Sequence, residues 1–82
     1  MPEENSLFVN INGNPYKLRS EDSLGHLQSV ANLVDKKIVE IKKHYPQYSL
    51  NRMAVLASLQ LADEYLKLKN EYDQLLKEMD LV

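Results

Sequence analysis

Leu7, Val9 and Ile11 alternate with Phe8, Asn10 and Asn12, the period of a strand that buries one face. A second strand follows it. Asn12, Gly13 and Asn14 tolerate positive φ and predict a hairpin turn, after which Tyr16 and Leu18 resume the alternation against Lys17 and Arg19. The two-residue loop is Asn12-Gly13 or Gly13-Asn14. The registers differ by two residues, and both keep Leu7, Val9, Ile11, Tyr16 and Leu18 on one face. Pro15 donates no backbone hydrogen bond and favours an edge position.

The period then changes. Leu24, Leu27, Val30, Ala31, Val34, Ile38, Ile41 and Tyr45 recur at threes and fours and lay one apolar stripe along a helix. Ser20-Glu21-Asp22-Ser23 supplies its start, with Ser or Asp as N-cap. Lys42, Lys43 and His44 place cations at its negative end, and Pro46 stops it.

Ser49 is the next N-cap candidate, and the absence of Pro and Gly from Leu50 to Val82 allows one helix of about 50 Å at ~1.5 Å per residue. Its two halves differ. Leu50, Met53, Ala54, Val55, Leu56, Ala57, Leu59, Leu61 and Ala62 leave almost no polar face, which predicts burial from more than one side. Beyond them the pattern narrows to a seam: Leu61, Leu68, Leu75 and Val82 lie seven apart, with Tyr65, Tyr72 and Met79 four after the first three. These are heptad positions a and d. The tyrosines at d need partners or water for their hydroxyls, so the seam splays or joins a four-helix layer more readily than it closes a tight two-stranded zipper.

The expected fold is therefore α+β. A small head over residues 1–48, with hairpin 7–19 and helix 23–45, precedes a long helix over 49–82 that forms an oligomeric coiled coil. Length sharpens this expectation. A chain of 82 residues is one domain that buries only about 60% of its unfolded surface, so a monomeric core is marginal. There is no cysteine, and His26 and His44 lie far apart without a ligand cluster, so neither disulfides nor a metal staple the fold. Oligomerisation is the remaining route to stability.

Composition narrows the function classes. Met1 to Ser6 is polar and acidic, unlike a signal peptide, and no segment approaches the ~20 apolar residues of a membrane span. A cytoplasmic protein with no membrane partner is expected. A net charge of -2 argues against nucleic-acid binding, which rests on surplus Lys and Arg.

No convergent nucleophile, base or carboxylate pair suggests catalysis, cofactor binding or a small-molecule substrate. His26 reads as a polar-face helix residue and His44 as a C-terminal helix charge. Asp63-Glu64 is a solvated flank of the seam, and Gly13 is an isolated turn glycine without a phosphate loop. Lys36, Lys37, Lys42 and Lys43 are interspersed with Asp35 and Glu40, which favours solvation over an acidic partner.

Several segments in order carry a family resemblance: Val9-Asn10-Ile11-Asn12-Gly13 with Tyr16 and Leu18, Val30-Ala31, Val34-Asp35-Lys36-Lys37, Glu40-Ile41 and Pro46. The strongest are Met53-Ala54-Val55-Leu56-Ala57, Asp63-Glu64-Tyr65-Leu66-Lys67-Leu68-Lys69 and Glu71-Tyr72. Over essentially its whole length the chain resembles the cell-division protein ZapA family, particularly its short Gram-positive form. The resemblance implies a non-catalytic regulator that binds the tubulin-like GTPase FtsZ, bundles its filaments and supports the division ring at midcell. It also implies homodimers, associating further into tetramers, built on the long helices.

Carried onto this sequence, the filament-binding candidates are Asn14, Lys17 and Arg19 on the hairpin and Asn51 and Arg52 at the helix start. Lys17, Arg19 and Arg52 are preferred because FtsZ is acidic as a family. The oligomer interface is expected at Leu61, Tyr65, Leu68, Tyr72, Leu75 and Met79. The competing reading is a structural coiled-coil adaptor whose head docks a different protein.

Overall fold

A computed structural model describes residues 4–80 of the chain. Strands β1 (Asn5–Ile11) and β2 (Asn14–Ser20) form an antiparallel hairpin, followed by helices α1 (Leu24–His44) and α2 (Leu50–Asp80). Val82, the last expected heptad position, lies outside the described residues.

The register pairs Ile11 with Asn14, Val9 with Tyr16 and Leu7 with Leu18, which selects Asn12-Gly13 as the loop. Asn12 at φ 52° and Gly13 at φ 79° give the doubly left-handed turn whose twist matches a two-residue hairpin. Both strands are edges, so Pro15 interrupts no interior ladder.

Ser23 caps α1: its Oγ accepts from the His26 amide at 3.1 Å, and its carbonyl accepts from Leu27 at 3.0 Å. Ser49 repeats the arrangement at α2, accepting from the Arg52 amide at 3.1 Å and from Met53 at 3.0 Å. Between the helices Tyr48 N–H donates to the Tyr45 carbonyl at 3.0 Å across Pro46-Gln47, a turn that suits the fixed φ of proline.

The core sits where the two helices cross. Ile38 and Ile41 of α1 and Met53 and Ala57 of α2 are buried together, with Ile11, Val34, Tyr48, Leu50 and Leu56 packed around them. Val9, Leu27 and Ala31 extend the buried surface under the hairpin. The Asn12 amide donates to Asp35 Oδ1 at 2.7 Å and ties the turn to α1. Asn5 Nδ2 donates to the Asp22 carbonyl at 2.8 Å at the other end of the hairpin.

Two parts of the expected apolar pattern stay in water. Leu24 and Val30 on α1 are exposed, because a two-stranded sheet covers only the centre of the stripe, and so is Tyr45, which falls just past the helix end at His44. In α2, Val55 and Leu59 are exposed while Met53 and Ala57 are buried: a single chain offers this segment one neighbour, not the several its composition suggests. The Cα radius of gyration, 16.7 Å, exceeds the roughly 12 Å of a compact chain of this length. The excess comes from α2, whose residues from Ala62 to Asp80 are all exposed.

Candidate interaction surfaces

The long seam is an extended exposed apolar feature of α2. Tyr65, Leu68, Tyr72, Leu75 and Met79 are 62%, 66%, 60%, 52% and 63% exposed, although their spacing is that of a buried stripe. This stripe does not begin at Tyr65. Rotating about 100° per residue, Met53, Ala57 and Leu61 lie on the side of α2 that the seam continues. One stripe thus packs against α1 at its start and meets only solvent at its end.

Two ion pairs flank the transition. Lys37 of α1 pairs with Glu64 of α2 just after the helices cross, and Lys67 Nζ lies 2.9 Å from Asp63 along α2. The hydrogen bond to Glu64 raises Lys37 above the ordinary lysine value, and that to Asp63 does the same for Lys67. Asp63 and Glu64, read from sequence as a solvated flank, therefore include a residue that links the two helices.

The expected filament-binding residues fall on separate surfaces. Lys17 and Arg19 project from the outward face of β2, opposite the face that carries Leu18. Asn14 sits at the turn, paired with Ile11 on the inward phase, and is exposed. Asn51 and Arg52 occupy the first turn of α2, where the Arg52 guanidinium lies 4.3 Å from the centroid of the Tyr48 ring. Tyr48 in turn stacks on Tyr45 with centroids 4.8 Å apart and planes at 8°. Lys17 and Arg19 thus share a face, whereas Arg52 belongs to an aromatic stack at the helix junction.

Phe8 was not among the candidates, yet it shares the outward face with Lys17, whose Nζ lies 5.7 Å from its ring centroid. Its position in the polar phase of an alternating strand was the available signal. Asp35, grouped by sequence with the surface charges, fixes the hairpin turn instead; no spacing rule announces a partner 23 residues away. Among the described residues no helix is long and apolar enough to cross a membrane.

Comparisons with known proteins fit this architecture. A solved structure, the ZapA mutant dimer from Geobacillus stearothermophilus, superposes with a TM-score of 0.75 at 35% sequence identity, covering 95% of this chain and 91% of that one. The cell division protein ZapA of Shouchella clausii (strain KSM-K16) is 43% identical over 65 residues, 79% of this chain and 83% of the relative. Its counterpart in Geobacillus sp. (strain WCH70) is 34% identical over 77 residues, 94% of this chain and 88% of that protein. The family model described as cell division protein ZapA matches residues 7–81. With the hairpin, the capped helices and the long seamed helix all in place, the chain belongs to the ZapA family of cell division proteins.

Proposed function

We propose that the protein is a homo-oligomeric FtsZ-binding adaptor that crosslinks FtsZ filaments and supports assembly of the division septum from the cytoplasm. It works by binding and carries out no reaction of its own. The observation that carries this reading is the exposed seam from Tyr65 to Met79, more than half of each seam side chain being in water.

Water around a 3.5-residue apolar stripe is unfavourable, and the simplest cover is an identical stripe on a second copy. The solved relative is a dimer, which supports the same arrangement here. Two heads on one rod then bind neighbouring filaments with an effective concentration that a lone head lacks, so weak head contacts suffice. The head contacts proposed are Lys17 and Arg19 on the hairpin face, with Asn14, Asn51 and Arg52 at the turn and the helix start. Residues 1–48 act as the head and 49–82 as the spacer and oligomer contact.

Co-sedimentation with FtsZ and GTP is the test. Added protein should increase pelleted bundles and appear with them. Absence from the pellet at micromolar concentration rejects the reading. Changing Lys17 and Arg19 together to Glu should reduce pelleting while leaving the helical circular-dichroism signal intact, and an unchanged pelleting curve would move the contact off the hairpin face.

A further inference from the structure

Phe8 is 69% exposed, the highest value among the large apolar side chains described. Folding gives no reason for it. Its neighbours on β1 expose Ser6 and Asn10 in the same phase, and an aromatic ring there gains almost nothing from burial. The pairs Ser6–Arg19, Phe8–Lys17 and Asn10–Pro15 make up this outward face, and none of the six residues is acidic.

The turn explains why the face is organised. A two-residue loop closes with a hydrogen-bonded pair at Ile11 and Asn14, so counting back along the ladder makes Phe8–Lys17 a non-hydrogen-bonded pair, where side chains stand closer. Lys17 accordingly reaches over the ring at 5.7 Å. Among the described residues neither Lys17 nor Arg19 takes part in an ion pair. The result is an apolar platform flanked by two positive charges that have no ion-pair partner among the described residues, on a backbone pinned to α1 at the Asn12–Asp35 hydrogen bond.

Complementarity selects the occupant. A second copy of this face would set Lys17 and Arg19 against their equivalents, which like-charge repulsion disfavours. Two cations fall short of the polybasic cluster that holds a protein on anionic lipid. An acidic polypeptide segment with an apolar side chain satisfies both features of the face. Resting on the filament-binding reading above, we propose that Phe8 is the apolar anchor of that contact and seats an apolar side chain of an acidic segment of the filament beside Lys17 and Arg19.

The test compares FtsZ co-sedimentation of the unmodified protein, Phe8→Thr and Phe8→Tyr. Threonine preserves strand preference and removes the ring; tyrosine keeps the ring. Loss of a central aromatic anchor should weaken binding about thirtyfold for Phe8→Thr, with Phe8→Tyr within a few fold of the unmodified protein. Binding left in Phe8→Thr should retain its salt dependence, because both cations remain.

If the unmodified protein stays in the supernatant, the filament-binding reading fails and this proposal with it. If it pellets and Phe8→Thr pellets equally well, the anchor alone is refuted. A change in helical circular dichroism or oligomer mass for Phe8→Thr would assign the ring to folding or self-association and overturn the proposal, as would equal losses in both variants.

Discussion

Leu68→Ala isolates the seam from the head. Leu68 is 66% exposed and lies in the segment of α2 that no other described part of its own chain covers, so truncation leaves the crossing of α1 and α2 untouched. Alanine is also the better helix former, so α2 itself is not weakened. Complete burial of a large apolar side chain is worth about 1.5–3 kcal/mol, and with half to two thirds of each still in water, covering a seam residue yields roughly 1–2 kcal/mol.

The five residues from Tyr65 to Met79 then supply about 5–10 kcal/mol per chain, or about 10–20 kcal/mol for two chains, against an association cost of about 4–15 kcal/mol. The balance is narrow enough for one side chain to matter. Leu68→Ala removes most of one contribution on each chain, about 2–4 kcal/mol per dimer, which weakens Kd by roughly 30- to 1000-fold. Sedimentation equilibrium across a concentration series should show the unmodified protein assembled at low micromolar concentration and the variant shifted toward monomer. A folded monomer for the unmodified protein, or identical mass profiles for the two, would refute the assignment of the seam.

Gly13→Ala tests the turn: Gly13 has φ +79° and an added Cβ meets nothing within 4 Å, so the cost is purely the left-handed backbone, about 1 kcal/mol, read as a lower urea midpoint with an unchanged slope. Asp35→Ala leaves the half-buried Asn12 amide without its 2.7 Å acceptor and should lower stability by about 1.5–3 kcal/mol; a midpoint within error of the unmodified protein would mean that water replaces the carboxylate fully. Lys37→Met tests the tie between the helices. Pairing with Glu64 raises the lysine above its ordinary value, so its contribution is fully present at neutral pH and is lost as pH rises through the raised value. The difference in thermal midpoint between this variant and the unmodified protein should stay level near neutrality and shrink in strong alkali, and a gap that widens there contradicts the ion pair.

The elements were legible because each is announced by local chemistry. Ser23 and Ser49 accept from the third amide after them, and Pro46 falls in the turn between the helices, all features readable within a few residues. The choice between Asn12-Gly13 and Gly13-Asn14 was not legible, since period-two patterning is blind to a shift of two; the tie from Asn12 to Asp35 is consistent with the register found and depends on how the hairpin sits on α1. Val55 and Leu59 are exposed in the single chain although their segment reads as buried from more than one side, because a hydrophobic sequence reports what the assembly covers and not what one chain covers. Among the site residues, the charges on β2 were visible from their phase. Phe8 is legible too, since its phase opposite Leu7, Val9 and Ile11 sets it on the outward face, but a choice of candidates by charge and polarity passes over an aromatic ring.

The stripe on α2 couples these observations. No glycine or proline interrupts α2 between Met53, packed on Ile38 and Ile41, and Met79 at the far end of the seam. A second copy covering Tyr65 to Met79 would therefore fix the direction of its own head as well, because head and seam are read off one rigid stripe with Glu64 bound to Lys37 between them. A glycine pair at Lys69-Asn70 would leave both the crossing and the individual seam residues in place but loosen that relation. If rigid spacing matters to bundling, such a variant should still bind filaments and still dimerise at higher concentration, yet give bundles of irregular spacing by electron microscopy. Regular bundles from the loosened rod would show that valency alone accounts for crosslinking.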